Sequence, residues 1–183
     1  MEKTYTLEVA GITRHLPIIP ITESLSIASF VILGDTELVT VAAPLLAAKL
    51  PEVDVVITAE AKGIPLIHEV SRVLQMKKYY VARKSTKPYM QTPLINEVES
   101  ITTQKKQVLC LDGADASEIA GKRVAIIDDV ISTGKSLQAI EDLVIQAGGI
   151  VVARAAILAE GEAAKRSDIL FLQELPLFPN KIE

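Results

Sequence analysis

Two adjacent carboxylates, Asp128 and Asp129, follow the aliphatic run Val124-Ala125-Ile126-Ile127. They precede a hydroxyl- and glycine-containing stretch, Ser132-Thr133-Gly134-Lys135-Ser136. The run predicts a buried strand, and ligands of open α/β sheets gather at the carboxyl ends of strands. The stretch after the acids runs into a helix expected from about Gly134 to Ala147. Such a junction presents free N–H groups and the positive end of a helix dipole, which suits a phosphate. Ser132, Thr133 and Ser136 add hydroxyl donors, and Gly134 lets the backbone approach closely. The two carboxylates would repel a second phosphate; they suit hydroxyl donors, a sugar diol or a divalent cation. Gly134-Lys135-Ser136 also ends like a Walker-type loop, but that pattern requires a glycine where Asp129 stands.

The elements that position these groups alternate along the middle and end of the chain. Val53–Ile57 reads as a strand, followed by a helix from Pro65 to about Leu74. Tyr79–Ala82 is a strand, and Ser85–Thr103 a long polar loop containing Pro88 and Pro93, of the kind that serves as a lid. Lys106–Leu111 reads as a strand, Ala116–Ala120 as a short helix, Val124–Ile127 as the central strand, and Ile150–Leu158 and Ile169–Leu172 as two more. Strands alternating with helices imply a parallel α/β sheet. Before it, Tyr5–Val9 alternates like a strand, and Asp35 is placed to cap a helix reaching Leu50, with Pro44 kinking it. Without a linker or repeat, residues 1–183 read as one domain.

The composition supports an aliphatic core: 49% hydrophobic, 4% aromatic and no Trp. A net charge of −4 argues against general binding to nucleic acid or anionic membranes. A single cysteine, Cys110, fits a reducing compartment. An N-terminus without an apolar core predicts no signal peptide, and no apolar run is long enough for a membrane span. The expected setting is the cytoplasm. No Cys/His cluster suggests zinc, and His15, His68 and Cys110 read as packing or surface residues.

The segment Val124–Ser136 resembles the motif by which type I phosphoribosyltransferases bind phosphoribosyl pyrophosphate (PRPP). The resemblance implies an α/β fold with a central, mainly parallel sheet flanked by helices, a flexible hood loop and a small N-terminal subdomain. It implies that Asp128 and Asp129 hold the ribose hydroxyls as catalytic residues, and that Ser132, Thr133, Gly134, Lys135 and Ser136 hold the 5-phosphate. Thr58-Ala59-Glu60-Ala61-Lys62-Gly63 is similar to the family's pyrophosphate loop, and Arg83-Lys84 to its Arg-Lys pair. Glu60, Ala61, Lys62, Gly63, Arg83, Lys84 and Lys87 are therefore expected around the diphosphate. Ser85–Thr103 falls where the family has its hood. Mg²⁺ would be carried by PRPP, with no direct protein ligand, and the protein would act as a homodimer in nucleotide salvage.

The run Ile27–Leu50, with Phe30, looks like the adenine branch of the family, and Phe30, Ile157 and Leu158 are the candidate base contacts. In Glu99-Ser100-Ile101-Thr102-Thr103-Gln104, Thr102 stands where that branch has a proton-handling Glu. The same stretch resembles xanthine phosphoribosyltransferase, whose base-contacting Lys is matched here by Gly161. Lys62–Leu66 and Glu160-Gly161 also resemble the effector domain of the Gram-positive purine operon repressor, which senses PRPP without consuming it. Asp128-Asp129-Val130-Ile131 with Thr133-Gly134 also resembles the orotate enzymes. A purine phosphoribosyltransferase using adenine is the leading expectation; another base or a PRPP-sensing regulator is the alternative.

Overall fold

The structure, a computed structural model, describes residues 3–98 and 107–180. Its centre is a five-stranded sheet in the order β10-β9-β8-β4-β5: β4 (Val55–Ala59), β5 (Tyr80–Ala82), β8 (Arg123–Ile131), β9 (Ile150–Glu160) and β10 (Leu170–Leu175). Every pairing in it is parallel. Strand alternation divides its side chains between two cores. Val56, Ala125 and Ile127 pack with α1 (Thr36–Ala47) and α2 (Gly63–Val73). Val55, Ile57, Val124 and Ile126 pack with α3 (Gly113–Ile119) and α4 (Lys135–Gln146). Covering both faces is what a parallel sheet requires, and explains why its strands read as apolar runs rather than alternations. No helix among the described residues is long and apolar enough to cross a membrane.

A second sheet is antiparallel, in the order β1 (Thr4–Val9), β2 (Ile12–Pro20), β3 (Leu25–Ala28), β11 (Leu177–Pro179). The expected N-terminal subdomain is thus completed by a strand from the far end of the chain. Arg14 on β2 ties this sheet to the start of α1, donating to both carboxylate oxygens of Asp35 at 2.8 and 2.9 Å. Asp35 caps α1 by accepting from the Leu38 N–H. The helix ends at Ala47 rather than Leu50 and contains Pro44, which has no N–H to donate within it.

Two expectations need correction. Ser85–Thr103 is not loop throughout: Leu94–Val98 forms β6, antiparallel to β7 (Gln107–Leu111). The strand was missed because the five residues carry little pattern of their own; their partner supplies the ladder. Its anchors are long-range, since Asn96 Nδ2 donates to the Ala139 carbonyl and to Asp142 on α4. Residues 99–103 of that loop, with Glu99 and Thr102, lie outside the described residues. Secondly, the central strand does not stop at Ile127. Pairing with β9 continues through Asp128↔Ala156, Val130↔Leu158 and Ile131↔Ala159, so both acids lie within the strand.

Candidate active site

Beyond Ile131 the chain leaves the sheet, and Gly134 turns it into α4 at φ +79°, ψ 1°. That left-handed conformation is one that glycine adopts at little cost. Ser132, Thr133, Gly134 and Ser136 line an open cavity of about 110 Å³, together with Asp128, Val130, Ile131 and Leu137. Gly134, the N-cap of α4, has no side chain to cap it, and the first turn of a helix carries N–H groups without intrahelical partners. Lys135 is exposed and is not part of the lining. Its backbone N–H lies 3.5 Å from Thr133 Oγ1.

The two acids differ in environment. Asp128 opens onto the cavity, and one oxygen accepts the backbone N–H of Asp129 at 2.9 Å. Burial, followed by the neighbouring Asp129 charge, pushes the Asp128 carboxyl up to about 7. Asp129 is 2% exposed. Its Oδ2 lies 3.1 Å from Lys62 Nζ but receives no aligned hydrogen bond. Charge proximity without a directed donor leaves that oxygen able to accept one.

Lys62 comes from the turn between β4 and α2, where parallel pairing places β4 beside β8. The same turn brings Gly63 against the acids. A Cβ there would lie 2.1 Å from Thr58 Oγ1 and 3.2 Å from Asp128 Oδ1. Glycine at 63 is therefore dictated by close approach. Glu60, joined to Ala61 by a cis peptide, accepts from the Lys84 N–H and pairs with Arg83 Nε at 3.1 Å. These donors hold its carboxyl below the usual range. Arg83 also donates to Tyr89 Oη, and Lys87 Nζ to Ser85 Oγ. Lys62 thus stands beside the acids, Arg83 and Lys87 lie near Glu60 of the same turn, and none of the three lines the cavity before α4.

This division makes chemical sense for a ligand with anionic groups at two ends and hydroxyls between them. A family profile described as the phosphoribosyl transferase domain matches residues 41–180, most of the chain. The chain belongs to the phosphoribosyltransferase family. A hypoxanthine/guanine phosphoribosyltransferase of Methanotorris igneus is 32% identical over 113 residues, 62% of this chain and 57% of the relative. A xanthine phosphoribosyltransferase of Chloroflexus aurantiacus is 32% identical over 143 residues, 77% of this chain and 65% of the relative. The chain spans between about half and two thirds of the length of these relatives. Among solved structures, the adenine phosphoribosyltransferase of Thermoanaerobacter pseudethanolicus superposes with a TM-score of 0.71 at 21% identity, covering 87% of this chain and 95% of that one. That of Rhodothermus marinus gives 0.66 at 23% identity, covering 94% of each. At such identities the likeness is one of fold.

The candidate base contacts lie inside the core. Phe30 is 7% exposed, and Ile157 and Leu158 are completely buried; all three belong to the core shared with α1 and α2, and none lines the cavity. Their apolar surface is already used in packing. Two further residues stand near the site: Thr58, which belongs to the pyrophosphate-loop segment but has no role of its own in the resemblance, and Arg166, which the sequence reading does not single out. Thr58, fully buried, is what forces glycine at 63. Arg166 has its Nη1 2.8 Å from the position of a Cβ on Gly134. It follows the 3-10 helix Gly161–Lys165, and no local motif marks it.

Proposed function

We propose that this chain is a purine phosphoribosyltransferase that transfers the ribose 5-phosphate of PRPP to a free base. The observation that carries the reading is the adjacency of Asp128, which lines the cavity with Ser132, Thr133, Gly134 and Ser136, to Asp129, which faces Lys62. In this reading the cavity holds the 5-phosphate, the acids accept the ribose hydroxyls, and Lys62, Arg83, Lys84 and Lys87 face the diphosphate. A nitrogen of the base attacks C1, the bond from C1 to the diphosphate oxygen breaks, pyrophosphate leaves with the bonding electrons, and the imidazole N–H proton of the base passes to pyrophosphate or solvent. Positive charge develops on the ribose, and carboxylates fixed beneath it favour that charge.

Among the described residues no group of three or more His, Cys, Asp or Glu is arranged to hold a metal ion. Two adjacent carboxylates, one with an oxygen lacking an aligned donor, suit Mg²⁺ carried mainly by phosphate oxygens and water. Bound in that way, the ion supplies neutralisation of the leaving diphosphate.

Adenine, giving AMP, is the base we assign. The likeness of the Ile27–Leu50 run to adenine enzymes supports it, as does Gly161, which offers no cation to an oxopurine oxygen. A second reading, an oxopurine, has the support of the names borne by the hypoxanthine/guanine and xanthine relatives. A cytosolic homodimer completes the proposal. The test is pyrophosphate release from PRPP and Mg²⁺ with adenine, hypoxanthine, guanine, xanthine and orotate in turn. Adenine alone should be consumed, because a site built for one exocyclic group rejects the others strongly. Use of a different base overturns adenine. Tight PRPP binding with no base consumed overturns catalysis in favour of a sensor.

A further inference from the structure

The phosphate cavity has a neighbour that neither the motif nor the fold's pairings explain. Arg166 Nε and Nη2 donate to the two oxygens of Asp168, at 2.9 and 2.7 Å. This bidentate pair fixes the plane of the guanidinium, and among the described residues no acceptor is bonded to Nη1. Nη1 is directed at Gly134, where it is the nearest heavy atom to a Cβ position and lies 2.8 Å from it. Asp168 is steadied in turn by Arg154, whose Nε is 4.0 Å away and which also pairs with Glu141 on α4. The guanidinium is therefore anchored to the helix that opens at the cavity. Its side chain retains 39% exposure, so the free edge is accessible.

We propose that Arg166 is a phosphate-binding residue of this site, its Nη1 closing the Ser132–Ser136 cavity on the Gly134 side and donating to a phosphate monoester held there. The assignment rests on the reading of that cavity as the 5-phosphate seat. It gives a single role to three observations: the glycine at the turn, the committed edge of the guanidinium and its free edge. Arginine suits the task because it can hold a carboxylate with one edge and offer donors to an anion with the other. Lys135, exposed and outside the lining, does not supply this charge at the cavity wall.

The test uses ribose 5-phosphate and Mg²⁺-pyrophosphate as separate probes of the two ends of the site, titrated calorimetrically into wild type, R166Q and R166K. R166Q should bind ribose 5-phosphate about tenfold or more weakly, the scale of one charge-assisted hydrogen bond. R166K should recover part of that loss. Pyrophosphate affinity should stay within about twofold in both variants, which a general collapse of the site would not allow. Unchanged ribose 5-phosphate binding in R166Q overturns the role of Arg166 and leaves the phosphoribosyltransferase reading standing. If wild type binds neither probe, that reading fails along with it. A D168N variant guards against misfolding of R166Q: it keeps the guanidinium and loosens it, and should weaken ribose 5-phosphate by a smaller factor. Equal losses of both ligands in R166Q and D168N would mean that the pair is only structural.

Discussion

Lys62 and Asp129 face each other across β4 and β8, Nζ 3.1 Å from Oδ2, without a directed hydrogen bond between them. The partners are unequal: the Asp129 side chain is 3% exposed and that of Lys62 48%. The anion is fixed in the strand, whereas the cation stands on a flexible stem at the surface. In the proposed reading Lys62 moves to a diphosphate, while Asp129 stays to accept a hydroxyl.

Replacing Lys62 with Met should raise the KM for PRPP at least about tenfold, a charge-assisted contact being lost. It should also lower stability by about 1–2 kcal/mol. That is less than the roughly 3–5 kcal/mol for breaking a fully buried pair, because Lys62 is half in water. Steady-state kinetics and urea denaturation read the two effects separately. An unchanged KM would show that Lys62 only neutralises Asp129.

Asp128 predicts a pH dependence with a definite sign. Its carboxyl is raised in the native state, from an unfolded value of about 3.9, to about 7. Between those values the native state holds more protons than the unfolded one, so stability of the unliganded protein falls as pH rises through that window, then levels off. Hydroxyl donors prefer the ionised carboxylate, so PRPP affinity should rise over the same window with proton release. Asp128→Asn should flatten both curves, as seen by denaturation and calorimetry across pH. Activity independent of pH between about 5 and 8 in wild type would contradict this role.

Gly63→Ala should strike function through packing. Its Cβ would overlap Thr58 Oγ1 and crowd Asp128, at a cost of about 1–3 kcal/mol, and turnover should drop by an order of magnitude or more. Gly121→Ala is the control. Position 121 has φ +72° and open space around the new methyl group, so backbone strain of about 1–2 kcal/mol should appear in stability with activity per folded molecule unchanged.

Asp35→Ala removes both the α1 cap and the partner of Arg14. A loss of about 1–2 kcal/mol is expected. Asp35→Asn, which keeps an acceptor for Leu38 N–H, should lose less. Equal losses for the two variants would assign the stability to charge rather than capping.

What was legible in the sequence was local. The β8 run, the acids and the hydroxyl loop lie within the thirteen residues Val124–Ser136, and an apolar stretch feeding a helix needs no partner to be recognised. The contacts that define the site were not legible, because they depend on sheet order. Lys62 reaches Asp129 only because β4 lies beside β8, and Arg166 reaches Gly134 only after β9 and the 3-10 helix have carried the chain back. Strand β2 was hidden for a different reason. Pro17 and Pro20 argue against a strand, yet Pro17 is where pairing with β1 ends, and β3 pairs from Ile18 onward. Burial at the end of β9 was not legible either: an aliphatic pair at a strand end can pack inward or line a site, and Ile157 and Leu158 pack inward.

The joining of β3 to β11 bears on how the chain is made. Ser26 Oγ donates to Asn180 Oδ1 across 154 positions of sequence, and Leu177, Phe178 and Pro179 pair with Ile27, Ser26 and Leu25. On a ribosome, β1 to β3 emerge early and wait for nearly all of the remaining synthesis before their last neighbour appears. During that delay β3 is an open edge, a template for pairing with other nascent chains. Closing so long a loop also comes late in refolding, since its entropy is lost before the contact rewards it. Chains stalled before residue 177 should therefore be the aggregation-prone population, and their solubility should improve when β11 is supplied as a peptide.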